Sequence, residues 1–178
     1  MKRITLHDKT FELSIPYSEI DNAITHISVQ MDVDLRDKDV VMVCILNGSF
    51  MFAADLMKKL NTPCRITFVK VASYQGTDSV GVVKELIGLT EDLKGKTVVI
   101  LEDIVDTGRT IEQIIKTVLA KEPAEVKVAT MLFKPTACLR PVKLDYVGLE
   151  IPDDFVVGYG LDYDGFGRNL PDMYTLVS

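Results

Sequence analysis

Hydrophobic positions along the chain fall into two kinds of run. Residues 40–46, Val-Val-Met-Val-Cys-Ile-Leu, are unbroken by any polar side chain, the pattern of a strand covered on both faces in a parallel sheet. Residues 97–101, Thr-Val-Val-Ile-Leu, repeat it and run into two adjacent acids, Glu102 and Asp103. Residues 126–133 predict another buried strand, 65–72 alternate well enough for a further one, and 82–89 and 145–152 predict shorter strands. Between these runs the period changes. Ile20, Ile24, Ile27 and Met31 share one helical face, opened by Ser18-Glu19-Ile20-Asp21 in the manner of a capping box. Residues 50–60 predict a second helix. Ile111, Ile114, Ile115, Val118 and Leu119 mark a third, ending near Lys121. Residues 1–16 read as an extended arm closed by Pro16. Strands alternating with helices predict an α/β domain built on a parallel sheet.

The stretch after the second buried strand carries the chemistry. Two aliphatics follow the acids, then Asp106-Thr107-Gly108-Arg109-Thr110, then the third helix. Strand, acidic edge, small-residue turn and helix are the layout of a ligand site at the carboxyl end of an α/β sheet. Such a turn aims backbone N–H groups and a helix dipole at one point, which suits a phosphate monoester. Glu102 and Asp103 repel phosphate and suit hydroxyls or a divalent cation. Phosphate beside a diol is a ribose 5-phosphate. A second strand–glycine–helix turn, Leu46-Asn47-Gly48-Ser49, is either a plain connector or a second anion cradle. Lys134, at the end of the 126–133 strand, is a surface cap or a ligand contact. Residues 73–81 are small, polar and punctuated by glycine, as filler or an active-site lid is. Neither a Walker A loop nor the dinucleotide glycine motif occurs.

Composition narrows the setting. A chain of 178 residues with 47% hydrophobic positions is one domain able to bury its own core. Its formal charge of −6 argues against nucleic acid as the main ligand. The apolar runs are far too short for a membrane span, and the first residues have no signal-peptide core. Cys44, Cys64 and Cys138 are odd in number and scattered, which suggests a reducing cytoplasm rather than a disulfide framework.

The acidic strand end with Asp106-Thr107-Gly108-Arg109-Thr110 resembles the phosphoribosyl pyrophosphate (PRPP) motif of type I phosphoribosyltransferases. Leu46-Asn47-Gly48-Ser49 and residues 155–163, Phe-Val-Val-Gly-Tyr-Gly-Leu-Asp-Tyr, extend that resemblance to the purine-salvage, hypoxanthine-guanine group. It implies about five parallel strands flanked by helices, with a core over about 36–150 and a small hood from about 1–16 and 151–178. It implies transfer of 5-phosphoribosyl from PRPP to N9 of a 6-oxopurine, with pyrophosphate released and Mg2+ bound. By the same resemblance Glu102 and Asp103 hold the ribose hydroxyls or the metal, and Asp106, Thr107, Gly108, Arg109 and Thr110 cradle the 5′-phosphate. Asp106 is the expected general base. Leu46, Asn47, Gly48, Ser49 and Arg168 are expected at pyrophosphate, with Asn47 standing where the group often has a basic residue. Lys134 is expected at the purine O6, Phe155 on the purine face, Val156 at its edge, and Asp162 at the base and metal. Ser73 and Tyr74 would open a mobile lid. A homodimer or homotetramer is the implied assembly. Other readings of the same fold are a xanthine-preferring enzyme and a regulator that senses PRPP or a nucleotide without catalysis.

Overall fold

The computed structural model describes residues 2–73 and 83–177, with the backbone alone at 71–73 and 83–87. In chain order the elements are β1 (Arg3–Leu6), β2 (Lys9–Ile15), α1 (Tyr17–Asp34), β3 (Val40–Leu46), α2 (Phe50–Lys59), β4 (Cys64–Ser73), β5 (Val83–Ile87), β6 (Thr97–Val105), α3 (Arg109–Leu119), β7 (Glu125–Phe133), β8 (Tyr146–Glu150), β9 (Val156–Val157) and β10 (Met173–Leu176). The main sheet has the order β5-β4-β3-β6-β7-β8. Its five strands from β4 to β8 are parallel, as the sequence predicts, and β5 adds an antiparallel edge.

Strictly alternating side chains divide the core in two. Val40, Met42 and Cys44 of β3 and Val99 and Leu101 of β6 pack with α1 and α2. Val41, Val43 and Ile45, with Val98 and Ile100, pack on the opposite face with Ile111, Ile114 and Val118 of α3. Both faces are covered, so these strands need no polar side. From β3 the chain proceeds to β4 on one side, and from β6 to β7 and β8 on the other. The carboxyl ends of β3 and β6 therefore flank the switch point of the sheet, where a doubly covered α/β sheet leaves a crevice.

Three local expectations change. The extended arm of 1–16 is a hairpin, and β2 also pairs with β10 over a long sequence separation, Ile15 opposite Met173. This second sheet, ordered β1-β2-β10-β9, packs around Phe11, Val157 and Tyr174. Helix α1 starts at Tyr17 from an N-cap at Pro16, and no cap side chain bonds to it. Ser18 is already inside the first turn. The end is satisfied from elsewhere, since Tyr17 N donates to Asp172 Oδ1 at 3.0 Å. Strand β6 runs past the acids to Val105, because Ile104 and Val105 still pair with Leu132 and Phe133.

Candidate active site

The ends of β3, β6 and β7, the turn into α3 and the segment around β9 enclose a cleft of about 440 Å³. Leu46, Asn47, Gly48, Glu102, Asp103, Asp106, Thr107, Gly108, Thr110, Lys134, Phe155, Val156, Asp162 and Arg168 all line it. Residues separated by more than a hundred positions in sequence thus meet in one place. Two expected residues do not reach it. Ser49 is fully buried, and its hydroxyl donates to the Ile45 carbonyl and contacts Cys44 Sγ. It holds the end of β3 together instead of facing a ligand. Arg109 opens α3 but is exposed outside the lining. Ser73 ends β4 opposite Val83, and Tyr74 lies outside the described residues.

The turn before α3 is built around Gly108. Its φ of +79° is left-handed, and a Cβ there would sit 3.1 Å from Arg140 Cβ and 3.4 Å from Cys138 Sγ. The conformation calls for glycine, and the space for a side chain is tight. Leu139 N donates to Thr107 O at 3.2 Å, so the segment after β7 backs the turn. No side chain caps α3. Its first N–H groups therefore remain free to meet an anion.

Across the cleft, Glu102 and Asp103 are the electrostatically costly pair. Glu102 is only 6% exposed. Burial, reinforced by the neighbouring Asp103 charge, pushes its carboxyl well above the ordinary range. Burial also raises Asp103, against the hydrogen bond from Ile104 N at 2.8 Å and the pull of Arg168. Gly48 is the floor of this corner. A Cβ on it would fall 1.5 Å from Asp103 Oδ2. Gly160 closes it from the other side, since a Cβ there would lie 2.0 Å from Gly48 O.

Lys134 is 7% exposed, and its Nζ lies 3.3 Å from Asp106 Oδ2 and 3.2 Å from Asp153 Oδ1. Its own N–H donates to Val105 O, tying the end of β7 to β6. Phe155 is 45% exposed and edged by Tyr163, with ring centroids 6.0 Å apart. An aromatic face half open in the same cleft as a buried cation can seat a flat, polar heterocycle. Arg168 donates to Gly160 O at 2.7 Å and pairs with Asp162 at 2.6 Å. Asp162 also accepts from Gly165 N at 2.7 Å. Both of its oxygens are thus engaged within the hood segment.

Among the described residues no three His, Cys, Asp or Glu side chains converge as a ready-made metal cage. The lining still carries four carboxylates, Glu102, Asp103, Asp106 and Asp162, against the cations Lys134 and Arg168. Such a cleft takes a polyanion best together with a divalent cation. Mg2+ commonly uses one or two carboxylates and completes its shell with substrate oxygens and water. Glu102 and Asp103 fit that manner of binding better than Asp162 does.

Asp153 was not legible as part of the site. Nothing in its spacing sets it apart from the adjacent Asp154, and only the fold carries it to Lys134.

The phosphoribosyl transferase domain family matches this chain over residues 16–164. The hypoxanthine-guanine phosphoribosyltransferase of Staphylococcus aureus is 38% identical over 172 residues, covering 96% of each chain. Among solved structures, a hypoxanthine phosphoribosyltransferase of the same species superimposes with a TM-score of 0.89 at 38% identity, over 93% of this chain and 91% of that one. A Bacillus anthracis hypoxanthine-guanine phosphoribosyltransferase, crystallised with HEPES in its active site, gives 0.89 at 32% identity, over 93% and 98%.

Proposed function

The chain belongs to the phosphoribosyl transferase family, and from that premise we propose that it is a hypoxanthine(-guanine) phosphoribosyltransferase. It moves the 5-phosphoribosyl group of PRPP to N9 of hypoxanthine or guanine, yielding IMP or GMP and pyrophosphate. The observation that carries this reading is the meeting of three features in one cleft. They are the uncapped turn at 106–110, the buried Lys134 ammonium and the half-open Phe155 ring.

Each lining group then has a task. The backbone of Thr107, Gly108 and Thr110 and the threonine hydroxyls hold the 5′-phosphate at the start of α3. Glu102 and Asp103 take the ribose hydroxyls and the magnesium ion. Mg2+, when bound, spreads the charge of the departing pyrophosphate. Leu46, Asn47 and Gly48 receive that pyrophosphate through backbone groups and the Asn47 amide, with Arg168 as the nearby cation. Phe155 stacks on the purine, Val156 borders its edge, and Asp162 fixes Arg168 and the hood loop. Lys134 can donate but never accept, so it pairs with a 6-oxo group and rejects a 6-amino group. Asp106 takes the proton the purine releases. Positioning and fixed charges supply most of the acceleration, since bond breaking at C1′ needs no covalent partner.

We place the protein in the cytoplasm as a homodimer or homotetramer. Three unpaired cysteines support a reducing compartment. No helix among the described residues is long and apolar enough to cross a membrane. We further propose a core over about 36–150 and a hood from about 1–16 and 151–178, a reading supported by the separation of the strands into two sheets.

Lys134→Ala tests the base assignment. The kcat/KM for hypoxanthine should fall by about 10- to 100-fold, the range of one lost charge-assisted hydrogen bond, while PRPP affinity stays within about threefold. Unchanged kcat/KM would remove Lys134 from the purine site.

A further inference from the structure

The Lys134 ammonium is held from two directions. Asp106 reaches it from the turn before α3 and Asp153 from the loop between β8 and β9. Only Asp106 lines the cleft, whereas Asp153 stands behind the lysine with its side chain 62% exposed. Resting on the proposed function, we propose that Asp153 is the positioning residue for Lys134, and through it sets the discrimination for 6-oxopurines.

The argument is one of charge accounting. A buried ammonium needs a counter-ion, and its three N–H groups need acceptors. Asp106 and Asp153 supply two, and the third N–H is left for a substrate oxygen. If Asp106 were the sole counter-ion, it would draw the ammonium toward the phosphate turn. Once Asp106 had taken the purine proton, Lys134 would also be left buried without a charge partner. Asp153 lies outside the cleft lining, so a proton passed within the cleft does not reach it, and its contact with the ammonium persists. Its position suits the role further. It lies two residues before Phe155, and Ile151 N donates to Phe133 O at 2.9 Å, next to the lysine in the chain. The stacking ring and the oxygen donor are thereby held by one short segment.

The test is a double-mutant cycle with Asp153→Asn and Lys134→Ala. Asp153→Asn alone should lower kcat/KM for hypoxanthine roughly tenfold, mostly through KM, because one charge-assisted contact to a buried group is weakened while its exposed partner is screened. KM for PRPP should move less than about twofold, and Asp153→Glu should recover at least half of the loss. In the Lys134→Ala background Asp153→Asn should have no further effect. An equal loss in both backgrounds, or no loss in the native one, would overturn the inference. A wild-type enzyme that turns over no 6-oxopurine would instead overturn the functional reading beneath it, so the two failures are separable.

Discussion

Glu102→Gln should make the unliganded protein more stable and the enzyme worse. Glu102 is buried beside Asp103, and among the described residues no cation pairs with it. Two like charges about 4 Å apart at an effective dielectric of about 20 repel by about 4 kcal/mol. The native pair escapes part of that cost by holding a proton, so the neutral isostere recovers less, about 2 kcal/mol at pH 8. For a domain of this size that raises Tm by about 4–8 °C. The pH dependence has a definite sign. The folded Glu102 pKa is raised above the unfolded value of about 4.3. The native state therefore binds protons more tightly, and stability falls as pH climbs from the unfolded pKa to the folded one. The advantage of glutamine should shrink toward pH 5 and reach its full size above the folded pKa. Thermal melts of both proteins from pH 5 to 8, followed by circular dichroism, read this directly. The same substitution should weaken PRPP binding in magnesium by about tenfold or more. A variant less stable than the wild type at pH 8, or an equal gain at pH 5 and pH 8, would refute the claim that this carboxylate is strained.

Gly48→Ala must displace Asp103, whose Oδ2 lies 1.5 Å from the new Cβ position. Its kcat/KM should drop at least about 100-fold, as misplacement near reacting atoms does, and turnover within threefold of wild type would show that Asp103 has room. Asp172→Ala removes the acceptor for Tyr17 N at the start of α1. Lost capping should cost about 1–2 kcal/mol in urea denaturation, and the exposed Lys2 contact should add little. A change under about 0.5 kcal/mol would mean that water replaces the carboxylate.

The parallel sheet was legible because β3, β6 and β7 have few or no polar positions in their central residues, a pattern that short, doubly covered strands share. The phosphate turn was legible because Gly108 and its neighbours combine one special backbone need with a defined strand and helix. The second sheet was not, since β1 and β10 are only four residues each, β2 shows no clean alternation of buried and exposed positions, and their pairing joins the two ends of the chain. Nearby sequence also misled at α1, where Ser18 has the cap chemistry but Pro16 and the distant Asp172 set the start. At the β3 turn, composition did not say which way Ser49 points. Its hydroxyl turns inward because the Ile45 carbonyl sits one turn behind it. Asp153 and the segment backing Gly108 are matters of tertiary placement, and no periodicity encodes them.

The most direct measurement is pyrophosphate release from PRPP and Mg2+ with hypoxanthine, guanine, xanthine, adenine and uracil assayed in parallel. Turnover with hypoxanthine, with or without guanine, and none with adenine or uracil is the predicted result. Release with xanthine alone would contradict the assigned purine range. Silence with every base, alongside tight binding of PRPP or a nucleotide, would contradict catalysis itself and leave a sensor built on the same cleft.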